Sequence, residues 1–476
     1  MEDKTRRRLR RFAWYFGGGL AVLAILLGGF AAAFILNFRL IPPKADYPAP
    51  ASALEAQRQD LDYFSKAMAL DRAFSPAARA AGEARIAALK ALPEALPRAK
   101  LQVALMQVMA SADNGHSRMR PIAEQGSLVL PLRVTRFAEG FYVMRAEAAH
   151  RGLLGGRVES IDGMPIQAAL DRLETLRGGV ERFRRENAAV FMVVQDLLYG
   201  LGIATDPRAS TWTVRLADGQ LVTEHLSAFP LRKGDDLVNG VRWLSPEPAK
   251  GVERGWIAYR PRVGDVPESW RDFDNYFRLS DAAGSCAKVV RLQHIIDTDG
   301  QKIAPFLARA ETALRADPPC ALILDLRGDS GGNYTNIWHF THALPDLVKP
   351  GGRIFVLTDP QTFSAAITAT AFVKDAGGAR VTIIGEPVGD RMPFYSEGGK
   401  ACLPNLRVCV FYQTGKHDYV HGCHDWRECY WVNLAYPVRV ASLEPDIFVP
   451  LTFEDWNAGR DAAYARALAL IGQAKS

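Results

Sequence analysis

The chain opens on an unbroken apolar run. Phe12 to Phe38 contains no charged residue, and its 27 residues exceed the ~20 that cross a bilayer as a helix. A cleaved signal peptide has an apolar core of only ~7–15 residues, so the run reads as an uncleaved anchor, although Ala31-Ala32-Ala33 mimics a small-residue cleavage site. It has no polar face, which argues against a buried core helix. Four prolines (Pro42, Pro43, Pro48, Pro50) follow, and residues 39–52 read as a spacer off the membrane. Helical periodicity comes next: Leu54, Leu61, Phe64 and Met68, then Leu101, Leu105 and Met109. Ser75-Pro76 marks a helix start. A helical cap of two or three helices is expected over 53–126.

Strand-like alternation begins near Leu128. In RGLLGGRVESIDGMPIQAALDRLETL (151–176) a glycine-rich loop precedes the strand Val158–Ile161, a tight turn at Asp162-Gly163 and an amphipathic helix. That order resembles a PDZ domain, which captures a peptide carboxylate on loop N–H groups and adds the peptide as a strand. An ordinary hairpin plus helix is the alternative. Residues 127–235 are assigned to this module. From Gly255 strands alternate with helices: a helix over Ala304–Ala316, ALILDL, RIFVLTD, a helix over Ser364–Asp375 and RVTIIG. This is an α/β pattern, assigned to a core over 236–476 and closed by a helix over Asp461–Ala474.

Charge refines the picture at one end only. Residues 1–11 hold six basic side chains against Glu2 and Asp3, which is +4 of the net +6. The rest is close to balanced and carries no electrostatic footprint for nucleic acid. The positive-inside rule keeps the basic tail in the cytoplasm and places everything after Arg39 on the extracytoplasmic, periplasmic side. All six cysteines lie there, and an even count in an oxidising compartment implies disulfides. Fifteen pairings are open to six cysteines. Short spacing favours Cys402–Cys409 and Cys423–Cys429, leaving Cys286–Cys320. No CxxC occurs, so a thioredoxin-like role has no support.

The candidate chemistry lies in Ala321–Ala366. LDLRGDSGGN ends one apolar strand in a glycine-rich turn, and VLTDPQTFSAA ends a second in a turn bearing Ser364. A serine at a helix start feels the positive end of the helix dipole. The N–H of Ala365 has no helical acceptor there and can face a developing oxyanion. Gly331 and Gly332 can expose further N–H groups. The bland readings are a serine that caps its helix and a plain turn in which Asp325 and Arg327 pair. No Lys-Ser/Thr follows the glycines, so a P-loop is poorly supported.

Together with Asn114–Ser117 (NGHS), IIGEPVGD, LPNLRVCVFY and LEPDIFV, these motifs resemble the serine peptidase family of C-terminal processing (tail-specific) peptidases and tricorn protease. The resemblance implies an α/β fold with a crotonase-like (β-β-α) protease core, a nucleophile at Ser364, oxyanion donors at Gly331 or Gly332 and Ala365, a polypeptide substrate, and no cofactor or metal. Tail-specific peptidases place a basic lysine after the GEP turn. Here Asp390 and Arg391 stand at that place, and arginine stays protonated. The chain is therefore closer to the tricorn-like branch, which uses a histidine from before the PDZ-like part. His116 holds that position, and an imidazole suits a base near neutral pH. A third residue should orient it. Glu397, Glu428 and Asp446 are candidates, with Glu397 preferred because FYSEGG follows the GEP turn. HDYVHGCHDWRECYW (417–431) has metal-ligand residue types without zinc spacing, and reads as a stapled surface loop that forms part of a substrate wall. One rival stays open, a non-catalytic peptide- or ligand-binding protein on the same fold; the serine nucleophile and the export anchor argue against a lesser one, an acyl-CoA enzyme of crotonase type.

Overall fold

The computed structural model describes residues 2–120, 126–231, 240–248 and 255–473. The boundary expected at 235/236 lies outside them. The apolar run forms α1 (Glu2–Asn37), whose Gly19–Asn37 stretch is long and apolar enough to cross a membrane. The proline-rich segment after it does not hang free. Tyr63 donates to Pro43 O at 2.8 Å, Gln59 to Pro48 O at 3.1 Å, and Tyr47 to Asp62 at 2.7 Å. These bonds fasten the expected spacer along α2 (Ala53–Leu70).

Three helices follow α1: α2, α3 (Pro76–Lys90) and α4 (Arg98–Ala110). Ser52 and Ser75 cap α2 and α3 by accepting Glu55 N–H and Ala78 N–H. Pro76 opens α3, where its missing N–H costs nothing. The middle of the chain builds β1 (Leu132–Phe137), β2 (Gly140–Glu147), β3 (Arg157–Ile161), α5 (Glu181–Phe191), β4 (Ala209–Arg215) and β5 (Leu221–Ser227). With Met164–Pro165 and Trp256–Ala258 the strands form a seven-stranded antiparallel sheet.

The C-terminal half supplies β6 (Phe277–Asp281), β7 (Lys288–Leu292), α6 (Ile303–Ala316), β8 (Ala321–Asp325), β9 (Arg353–Thr358), α7 (Ala365–Gly377) and β10 (Val381–Gly385). Then come β11 (Phe394–Ser396), β12 (Gly399–Cys402), β13 (Cys409–Tyr412), β14 (Gly415–His417), β15 (Ile447–Phe448) and α8 (Ala462–Gln473). Strands β6-β7-β8-β9-β10-β15 form one six-stranded sheet, parallel except for the edge pair β6/β7. Successive side chains on a strand point to opposite faces. Leu322 and Leu324 accordingly pack with Phe306 of α6 and Phe372 of α7, while Ala321 and Ile323 pack with Ala463 and Ala467 of α8. Both faces of β8 are covered, which is why it reads as a continuous apolar run. The cysteine pairs are the two that spacing favoured, Cys402–Cys409 and Cys423–Cys429, and the remaining pair Cys286–Cys320.

A buried charge cluster closes the sheet at the carboxyl end of β8. Arg327 donates to both oxygens of Asp461 at 2.8 Å and to both oxygens of Asp325 at 2.9 and 2.8 Å. Arg291 adds a bond to Asp325. Burial pushes the Asp325 carboxyl up, but Arg291 and Arg327 overcome it and hold the group well below the usual carboxylate range. Removing one partner strands the others as buried charges. Arg327→Ala is expected to destabilise the protein by ~3–5 kcal/mol, read as a lowered midpoint of chemical denaturation.

Candidate active site

Two strand ends are laced together. Asp359, just past β9, accepts Gly328 N–H on both oxygens (3.1 and 3.0 Å), and Gln361 N–H and Thr362 N–H on Oδ1 (2.9 and 2.8 Å). Thr362 Oγ1 donates to Leu326 O at 2.9 Å, and Phe363 N–H to Asp329 O at 3.0 Å. The DPQTF turn is thus bonded to the RGDSGG loop along its length. It delivers Ser364 at the mouth of α7 with φ 55° and ψ −121°. A non-glycine residue at positive φ costs ~1–3 kcal/mol and is held only where its surroundings over-determine it.

The Ser364 hydroxyl makes no capping bond to α7, so the helix-cap reading of this serine is not what the fold uses. Gly331 (φ 102°) lies directly against it. A Cβ on Gly331 would stand 2.6 Å from Ser364 Cβ and 2.8 Å from Ala365 N. Only glycine leaves the Ala365 N–H approachable from that side. Gly332 sits differently: a Cβ there would meet the Ile295 backbone at 2.7 Å. The Gly331 N–H is already engaged, donating to Asp329 Oδ1 at 2.8 Å. Asp329 Oδ2 is buried and has no hydrogen-bond partner among the described residues, and burial raises this carboxyl well above its usual value.

His116 arrives from the turn after α4. Asn114 fixes that turn by bonding both backbone groups of Tyr395: its amide donates to Tyr395 O at 2.9 Å and accepts Tyr395 N–H at 3.0 Å. Gln413 donates to His116 O at 2.9 Å. The imidazole enters a column of five rings. Phe183 of α5 stacks on Phe363 (4.3 Å), Phe363 on His116 (4.2 Å), His116 on Phe394 (5.2 Å) and Phe394 on His417 (5.0 Å). His116 therefore packs on the residue that precedes Ser364. The residue is only 6% exposed, yet neither ring nitrogen has a hydrogen-bond partner among the described residues. A buried polar group left unpaired costs ~1–3 kcal/mol and calls for an explanation. The bland reading, a histidine that satisfies a loop, supplies none.

The carboxylate beside His116 is Asp390, with Oδ2 at 3.7 Å from Nδ1. That is ion-pair range and too long for a hydrogen bond. Burial pushes the imidazole below its ordinary value, and Asp390 opposes that fall. Glu397, the preferred third residue, is elsewhere. Its carboxylate lies 3.9 Å from His417 Nε2 and accepts Ser396 Oγ at 3.3 Å. His417 is bonded to Ser396 Oγ and Tyr419 OH, both at 2.9 Å, and burial pushes it down to about 3. Of the other two candidates, Glu428 accepts Tyr395 OH at 3.0 Å, and Asp446 pairs with Lys374 at 3.0 Å and accepts Ile383 N–H. None of the three carboxylates serves His116. Asp390 was marked in the sequence as a missing lysine and not as an acid, because only the fold brings positions 116 and 390 together.

Gly331→Ala tests the close approach. We expect loss of reactivity at Ser364 together with a stability loss above ~1 kcal/mol, since the added methyl meets both a clash and an unfavourable φ, measured by thermal melting alongside labelling with a serine-directed probe.

No family profile and no curated protein matches the chain. Solved structures do. Mature CPAF complexed with lactacystin superposes with a TM-score of 0.57 at 14% identity, over 89% of this chain and 98% of that one. Mature CPAF alone gives 0.56 at 14%, over 89% and 99%. The photosystem II D1 C-terminal processing protease reaches only 0.35 at 13%, over 86% and 98%, a likeness that carries no argument. At these identities the comparison speaks to fold alone. The chain therefore adopts a CPAF-like fold along nearly nine-tenths of its length.

Proposed function

We propose that the chain is a membrane-anchored serine peptidase with a cytoplasmic N-terminus, an extracytoplasmic catalytic part and a polypeptide substrate. On this reading the core is crotonase-like, the antiparallel module is PDZ-like, and the base is a histidine, as in the tricorn-like branch. The observation that supports it most is the strained, uncapped Ser364 packed against Gly331, with a buried and unbonded imidazole stacked on the neighbouring Phe363.

In the reaction Ser364 Oγ bonds to the scissile carbonyl carbon while its proton passes to His116. Negative charge develops on the carbonyl oxygen, and the Ala365 N–H is the donor that α7 directs toward it. Gly331 becomes the second donor when Asp329 releases its N–H, with Gly332 the other candidate. The protonated imidazole then gives its proton to the departing amine, and water repeats the sequence to free the acyl group. Asp390 takes the orienting role first assigned to Glu397, because it is the carboxylate that faces His116.

A second reading, a non-catalytic polypeptide-binding protein, draws on two observations: the His116 nitrogens make no hydrogen bond, and the Gly331 N–H is occupied. Catalytic bonds are often long before substrate binds, which accommodates both observations within the peptidase reading. A serine-directed phosphonate probe separates the two readings. Wild type is expected to label and Ser364→Ala is not, with an unchanged circular dichroism spectrum; equal labelling of both would reject the peptidase. Ser364→Gly should melt above Ser364→Ala, because glycine accepts the positive φ without strain.

Acidity supplies a further check. A base must be neutral, and burial lowers the His116 value. The acid limb of kcat/KM is therefore expected below pH ~6.5, the ordinary histidine value. His116→Ala should lower kcat by ~10²–10⁴-fold, and Asp390→Asn should lower kcat more than it raises KM. Stability should fall in the same acid range, since the unfolded chain protonates both histidines below pH ~6.5 while the folded protein keeps them neutral.

A further inference from the structure

The outer end of α1 is clasped by the catalytic body. Phe30, Phe34 and Phe38 meet the Trp431 ring at 5.6, 5.8 and 5.4 Å, and Phe34 and Phe38 meet Tyr430 at 5.7 and 5.3 Å. Asn37 donates to Arg427 O at 3.1 Å, and Arg72 bonds both Arg427 O (2.6 Å) and Asn37 O (2.7 Å). The loop that carries these groups is stapled by Cys423–Cys429. It cannot leave the helix without breaking those bonds.

The same loop exposes apolar side chains beside the helix. Trp426 stacks on Trp431 at 5.9 Å and is 64% exposed, and Leu434 is 84% exposed. Their depth follows from the anchor. About 20 residues cross the hydrocarbon core, and the membrane-length stretch Gly19–Asn37 ends beside Phe38. Phe38 then lies at the outer headgroup layer and Phe34 one turn below it, close to where tryptophan and tyrosine rings prefer to sit. Trp431 is in contact with both, and Trp426 is stacked on Trp431.

We propose that the 423–434 loop is a second membrane-contacting element, which places Trp426 and Leu434 in the lipid interface and holds the catalytic body flat against the bilayer. This rests on the anchor reading given above. The loop is also wired to the candidate site: Glu428 accepts Tyr395 OH at 3.0 Å, and its carbonyl accepts Lys416 N–H at 2.8 Å. Tyr395 follows Phe394, whose ring stacks on His116. The substrates that reach such a site most readily are polypeptide segments lying at the membrane surface.

The test uses the full chain in phosphatidylcholine vesicles, with or without bromine high on the acyl chains. Subtracting the emission of Trp426→Phe from wild type isolates Trp426, and Trp14→Phe does the same for Trp14 in the apolar run. We expect brominated lipid to remove most of both difference signals. If Trp14 is quenched and Trp426 stays as bright as in plain lipid, the anchor stands and the loop proposal fails. An unquenched Trp426 signal that shifts to shorter wavelength as protein density rises would assign the surface to a second copy instead. If Trp14 itself is unquenched, the anchor reading falls and takes the proposal with it.

Discussion

The geometry depends on one carboxylate that binds two strand ends together. Asp359 accepts N–H groups from its own turn and from Gly328 across the sheet. Each bond is modest, ~0.5–1.5 kcal/mol net and more when the acceptor is ionised. Together they match the ~1–3 kcal/mol that a positive φ costs at Ser364. Without the lacing, the turn would relax and the serine would become an ordinary helix cap. With it, the hydroxyl makes no bond to its helix and the serine Cβ lies against Gly331.

The second constraint is the ring column. Stacking from Phe183 to His417 is apolar packing that excludes water from an imidazole. Exclusion lowers the proton affinity of His116, and the neighbouring Asp390 limits how far it falls. His417, at the other end of the column, is bonded through both ring nitrogens and lies 3.9 Å from Glu397. Two histidine–carboxylate pairs therefore flank one phenylalanine. One is saturated with hydrogen bonds, and the other keeps both ring nitrogens unbonded on the side nearer Ser364.

How much of this was legible in the sequence follows from range. The buried parallel strands show as apolar runs because both faces are covered, and the paired glycines mark a close backbone approach. His116 was found by its motif, since nothing local distinguishes it from the other histidines. Asp390 does not read as a partner of His116 because the two meet only across 273 intervening positions. The Asp329 bond to Gly331 is local, two residues apart, but it depends on the rotamer of a buried carboxylate that a run of glycines does not specify. Proline content reads as a spacer over 39–52, and tyrosine and glutamine side chains of α2 bond its carbonyls at Pro43 and Pro48. The short-range disulfides were readable because closing a small loop requires only neighbours.

The most direct measurement is a crystal structure of the full chain after reaction with a phosphonate serine probe. The account predicts phosphorus bonded to Ser364 Oγ, its oxygen ~2.7–3.1 Å from Ala365 N, and an His116 nitrogen within hydrogen-bond reach of the adduct while Asp390 closes on the other. Phosphorus on a different residue, or an adduct at Ser364 with the imidazole still unbonded and the oxygen turned away from α7, would contradict it.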